Sequence, residues 1–153
     1  ITNGPAMSPD GRTLYHTDTL KRVIYAFDVD PQGRLRNPSE FLRIRSTAYP
    51  GAYPDGMAVD AEGCLWVALF GGWGIHRYSP SGEFLASVRF PCANVTKLAF
   101  GGDDLCTVFA TTAWKGLSDT ARSEQALAGG LFSFRVSTPG LPQALCGVPI
   151  LQS

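Results

Sequence analysis

Short apolar runs, each closed by Gly, Pro or Asp, follow one another along most of the chain. Residues 13–17 (TLYHT) and 23–29 (VIYAFDV) are rich in β-branched and aromatic side chains and alternate in polarity, which predicts strands and not helices. Between the runs stand tight-turn sequences: Ser8-Pro9-Asp10-Gly11, Asp30-Pro31-Gln32-Gly33, Asp60-Ala61-Glu62-Gly63 and Ser79-Pro80-Ser81-Gly82. This punctuation predicts strands at residues 4–8, 13–17, 23–29 and 40–44, then at 56–59, 64–69, 75–78 and 84–90. A looser third set falls at 97–100, 107–111 and 131–136, with a weak last strand at 144–148. Only residues 118–128, inside a long loop, offer a helix, and a short one.

The runs therefore come in units of four. Asn3-Gly4 and Asp55-Gly56 hold equivalent places, each in a turn just before the first strand of its unit, and Thr96 stands near that place in the third. Four-stranded units repeating at roughly 40–50 residues predict an all-β fold, a β-propeller. The chain is expected to form three four-stranded blades at approximately 1–46, 47–91 and 92–153, half of a six-bladed ring in one partial domain. A ring closes with roughly four to eight blades, and three leave two bare sheet edges. The expected partner is a missing N-terminal half or a second copy of the chain. The abrupt start at Ile1, just before Asn3, favours the missing half.

Composition narrows the function. The 153 residues carry 13 basic and 13 acidic side chains, with no like-charged block, so neither nucleic acid nor an anionic membrane is an expected partner. No apolar run approaches the roughly 20 residues that span a bilayer. The four cysteines form no CxxC pair and no ligand spacing, so reduced thiols in a cytoplasmic protein are expected. No P-loop, dinucleotide fingerprint or nucleophile elbow is present.

The motifs Thr2-Asn3-Gly4-Pro5, Ser8-Pro9-Asp10-Gly11, Tyr53-Pro54-Asp55-Gly56-Met57, Asp60-Ala61-Glu62-Gly63 and Leu65-Trp66-Val67-Ala68 resemble those of the regucalcin / senescence marker protein / gluconolactonase family. Phe100-Gly101-Gly102 and Ala128-Gly129-Gly130-Leu131-Phe132 also look like it. The resemblance covers the whole chain but corresponds to the C-terminal half of that family's domain. It implies a six-bladed propeller that hydrolyses sugar lactones with one divalent metal. It also implies that Asn3 and Asp55 are two of three metal ligands, and that the third, a Glu near the start of the first blade, has no counterpart here.

A carboxylate and an amide oxygen suit Ca²⁺ or Mg²⁺ and also accept Zn²⁺ or Mn²⁺. Such a metal would polarise a lactone carbonyl and acidify a bound water, with Asp55 as the candidate general base. Taken singly, Asn and Asp before Gly also stabilise turns. Their equivalent positions, together with the resemblance, point to a shared cation. Loops on the same side bring in Asp18, Trp73 and Trp114 as candidate pocket residues; Asp18 equally suits a local hydrogen-bonded turn. His16 reads as a packed strand residue, and Asp10, Glu62 and Asp103 as hairpin tips at the opposite end. The alternative reading is a catalytically inactive propeller that acts as a binding scaffold or a Ca²⁺-binding regulatory module.

Overall fold

The computed structural model describes residues 1–45 and 49–143. The first sheet holds β1 (Thr2–Met7), β2 (Thr13–Asp18), β3 (Val23–Val29) and β4 (Leu35–Arg43). The second holds β5 (Tyr53–Val59), β6 (Leu65–Phe70), β7 (Gly74–Tyr78) and β8 (Phe84–Arg89). In the third are β9 (Val95–Gly101), β10 (Thr107–Thr112) and β11 (Leu131–Arg135). Strands pair antiparallel with their chain neighbours, so each sheet is a meander of the propeller-blade type. Among the described residues the third sheet has three strands. The expected strand at 144–148 and Cys146 lie outside the described residues.

Blade faces follow from strand alternation. Tyr15 and Ile24 of the first sheet pack against Met57, Val59, Leu65, Val67 and Leu69 of the second. On the opposite face of the second sheet, Trp66, Ala68 and Ile75 meet Leu98, Phe100, Val108 and Ala110 of the third. Trp66 and Phe100 stack edge to face with ring centroids 5.8 Å apart. The second sheet is thus apolar on both sides, which is why β6 reads as an unbroken hydrophobic run. The first strands of the three sheets, β1, β5 and β9, lie side by side. Glycines permit that approach: a Cβ on Gly56 would stand 2.8 Å from the Thr96 carbonyl oxygen, and one on Gly4 2.9 Å from Met57 Cε.

Two expected boundaries move. Both β1 and β5 start earlier than the pattern predicts and take in Asn3 and Asp55, which the sequence reading places in turns ahead of the strands. The reason is a β-bulge in each, between Asn3 and Ala6 and between Pro54 and Met57. A bulge breaks the period of two and hides the first strand residues from pattern reading. The outer strand β4 is also longer than residues 40–44, and exposed over most of its length. Among the described residues Asp119–Glu124 forms the one short helix, α1, capped by Ser118 Oγ accepting from Ala121 N.

After the third sheet the chain returns beneath the second. Ala61 N donates to Pro139 O (2.8 Å), Gly140 N to Leu105 O (2.9 Å), and Leu141 packs beside the Met57–Leu65 cluster. This crossing lies at the hairpin-turn end, away from Asn3 and Asp55.

Candidate metal centre

The two bulges aim Asn3 and Asp55 at each other across the first two sheets. Asn3 Nδ2 donates to Asp55 Oδ1 at 2.5 Å, although 52 residues separate them in the chain. Asn3 Oδ1 accepts from Gly4 N at 3.3 Å. Both side chains are half-buried. Burial pushes the Asp55 carboxyl above its ordinary value, opposed by the Asn3 hydrogen bond, the Lys97 charge and the Gly56 N–H. Beside them Thr17, paired with Asn3 across β1 and β2, buries an Oγ1 that has no partner among the described residues. An unpaired buried hydroxyl is costly, so this corner has polar capacity left over.

The donor set therefore fits a hard cation: one carboxylate, one amide oxygen and spare polar capacity, held on strands and not on loops. Two such groups on a cation would leave most of its coordination sphere to others. The third sheet adds no carboxylate at the matching place. Thr96 there shares a 2.8 Å hydrogen bond with Thr111 Oγ1.

The other candidates lie as follows. Asp18 ends β2 next to Asn3's strand, accepts from Lys21 N and forms an ion pair with Lys21 Nζ at 3.3 Å. Further along the same loop, Arg22 lies over the Tyr53 ring, 4.5 Å from the centroid. Trp73 sits in the β6–β7 turn at φ 58°, where its N–H donates to Ala93 O (3.0 Å) and its C=O accepts from Phe90 N (2.9 Å). Trp114 is 53% exposed; its ring carries the Arg122 guanidinium at 4.2 Å and rests on Gly129. The geometry thus joins Asn3 to Asp55, while Asp18 and Trp114 engage nearby loop residues. His16 packs against Phe27, with ring centroids 6.5 Å apart.

Sequence reasoning passed over Lys97. It follows Thr96 on β9, and its Nζ donates to Met57 O at 2.8 Å, within reach of Asp55's charge. A single basic residue in an otherwise uncharged inner strand was the available signal. The Asp60 network was also missed. Asp60 is fully buried, and Oδ1 accepts from Glu62 N (3.0 Å) and Cys64 N (2.9 Å). Its Oδ2 accepts from Trp66 Nε1 (2.8 Å) and Arg77 Nε (2.9 Å). Asp60, Glu62 and Cys64 place ligand atoms within 4.8 Å of one another. The cation among them is already Arg77, whose Nη2 lies 2.7 Å from Asp60 and 2.6 Å from Glu62. This cluster holds the blade together and is a poor metal site.

Known proteins carry the same architecture. Residues 1–114 match the model of the SMP-30/Gluconolactonase/LRE-like region. The chain is 36% identical over 146 residues to a 6-deoxy-6-sulfogluconolactonase of Pseudomonas putida, covering 95% of this chain and 49% of that protein. It is 35% identical over 150 residues to an L-arabinolactonase of Azospirillum brasilense, covering 97% of this chain and 48% of that one. A solved regucalcin from Agrobacterium tumefaciens, described as a calcium-binding protein, superposes with a TM-score of 0.84 at 28% identity, over 92% of this chain and 48% of that one. The chain spans about half the length of the curated relatives it matches. It belongs to the SMP-30/gluconolactonase/LRE-like family.

Proposed function

We propose that this chain supplies two ligands, Asn3 and Asp55, to the divalent-cation centre of a sugar-lactone hydrolase. The observation that carries the reading is the meeting of an amide and a carboxylate from two separate blades, each aimed by a bulge at the same place in its repeat. Equivalent places on neighbouring inner strands bring the pair together, and there the two polar side chains face each other. The lactonase names of the relatives support the substrate class.

A Ca²⁺, Mg²⁺, Zn²⁺ or Mn²⁺ ion held there would polarise the lactone carbonyl and lower the pKa of a bound water. Asp55 would be both a ligand and the base that takes a proton from that water. Asn3 orients Asp55. Asp18, Trp73 and Trp114 are proposed to stand at the pocket rim, and the remaining ligands to come from the rest of the propeller: an N-terminal half or a second copy. The free thiols Cys64, Cys92 and Cys106 suit a cytoplasmic setting.

The test is aldonolactone hydrolysis by the full-length protein, followed by proton release. Chelation should abolish turnover, and one of the four cations should restore it. Turnover that survives chelation overturns the reading. Cation binding without turnover identifies the family's fold in an inactive, cation-binding propeller.

A further inference from the structure

Six polar or charged side chains are buried among the described residues, and three of them, Asn94, Thr112 and Gln125, gather at one junction of the third blade. The junction lies at the Asn3–Asp55 end. There β9 begins with Val95 opposite Thr112, and the Thr96 carbonyl faces Gly56, the residue after Asp55. The connection 113–130 between β10 and β11 starts from it and is far longer than its counterparts 19–22 and 71–73 in the other two blades. An ordered connection of that length in a compact domain usually serves a site.

Asn94 uses both ends of its side-chain amide. Oδ1 accepts from Gly71 N (3.0 Å) in the β6–β7 turn, and Nδ2 donates to Lys115 O (3.1 Å) in the long connection. Its backbone carbonyl accepts from Ala113 N (2.9 Å). Next to it, Ala93 N donates to Gln125 Oε1 (2.7 Å), and Ala93 O accepts from Trp73 N. Thr112 Oγ1 donates to Gly130 O (2.9 Å) and accepts from Gly129 N (3.0 Å). The long connection is thus held at its start, middle and end. Buried amides with satisfied partners fix one arrangement, because any other leaves a polar group unpaired. The first two blades turn at the same end without such a junction, so the meander itself does not require one.

Resting on the lactone-hydrolase reading, we infer that Asn94 is a positioning residue that locks the loops 71–73 and 113–130 to the start of β9 as one preformed wall of the ligand site, with Gln125 as the second pin. Trp73 and Trp114 stand on those two loops, and the Arg122 guanidinium steadies the Trp114 ring from 4.2 Å. Asn94 acts through the loops and touches no reacting group. A wall that is already ordered spares the ligand the cost of ordering it. Its loss therefore acts on KM more than on kcat.

The experiment measures amide hydrogen exchange and aldonolactone kinetics in the full-length protein, as wild type, Asn94→Ala, Gln125→Ala and Gln125→Glu, with thermal melts to confirm folding. In Asn94→Ala, amides of both loops should exchange about tenfold faster, the loss expected for one or two hydrogen bonds. Gln125→Ala should loosen 113–130 and leave 71–73 as in the wild type. KM should rise about 3- to 10-fold in both alanine variants, with kcat within about twofold. Gln125→Glu keeps the oxygen that accepts from Ala93 N and should keep wild-type exchange and KM. Unchanged loop exchange in a folded Asn94→Ala protein overturns the lock, and loosened loops with an unchanged KM overturn the wall; either result leaves the hydrolase reading standing. A wild type that turns over no aldonolactone overturns the hydrolase reading, and this inference with it, even where the exchange pattern is as expected.

Discussion

Arg77 closes on Asp60 with two nitrogens, Nε at 2.9 Å and Nη2 at 2.7 Å, and so turns the fully buried carboxylate into the hub of the second blade. The same carboxylate holds the β5–β6 turn through two backbone N–H groups and fixes the Trp66 indole in the inter-blade core. Removing one partner of a buried ion pair leaves the other uncompensated. Asp60→Ala should therefore cost about 3–5 kcal/mol in urea unfolding. A loss below about 1 kcal/mol would mean that the network contributes no more than an exposed pair.

Gly56 governs how closely the second and third blades approach. Alanine there would bring its Cβ to 2.8 Å from the Thr96 carbonyl oxygen and 2.4 Å from Lys97 Cδ. The lysine can swing away, but the backbone cannot. Gly56→Ala should cost about 1–3 kcal/mol, as overpacking does. It should also weaken cation binding, because Asp55 is the preceding residue. Unchanged stability and affinity would show that the inner strands have slack.

Asp55 sets an acid limit on cation binding. Its carboxyl is held above the ordinary value, chiefly by burial. The folded state therefore binds this proton more readily than the unfolded one. The cation-free protein gains stability as pH falls through the raised value, the reverse of the usual carboxylate behaviour. Cation affinity moves the other way, falling about tenfold per pH unit once the pH lies below that value. The fall should begin at a higher pH than an ordinary carboxylate would give. Calorimetric titration across acidic pH checks it, and an affinity that stays flat through the ordinary carboxylate range would contradict it.

At the alkaline end the second blade has its own marker. Burial pushes the Tyr78 hydroxyl up to about 12, while the His76 ring lies 3.0 Å away. Between the unfolded value of about 10 and that figure, only the unfolded chain ionises. Stability should fall across this window by about 3 kcal/mol. In a phenolate absorbance titration, Tyr78→Phe should lose one late-titrating step. A late step that persists in the variant would assign it to another tyrosine.

Much of this was legible in the sequence because it is local and repeated. Turns such as Asp60-Ala61-Glu62-Gly63 and the alternation in residues 23–29 mark the strands. The matching places of Asn3 and Asp55 are visible in the repeat alone. What escaped was of two kinds. Bulges at Asn3 and Asp55 displaced the strand starts, since two residues there face one across the ladder. Contacts between distant residues, such as Arg77 with Asp60 and Lys97 with Met57, leave no periodic trace. Asp60 reads as a turn residue and is buried, while Lys97, read only as the start of a strand, ties its ammonium to the Met57 carbonyl.

Asn3 and Asp55 are proposed to hold one cation together. Its most direct test is calorimetric titration of the full-length protein and its Asp55→Ala variant with Ca²⁺, Mg²⁺, Zn²⁺ and Mn²⁺, with matched thermal melts to confirm folding. One site is expected in the wild type and no measurable binding in the variant. Unchanged cation affinity in a folded Asp55→Ala protein would contradict it.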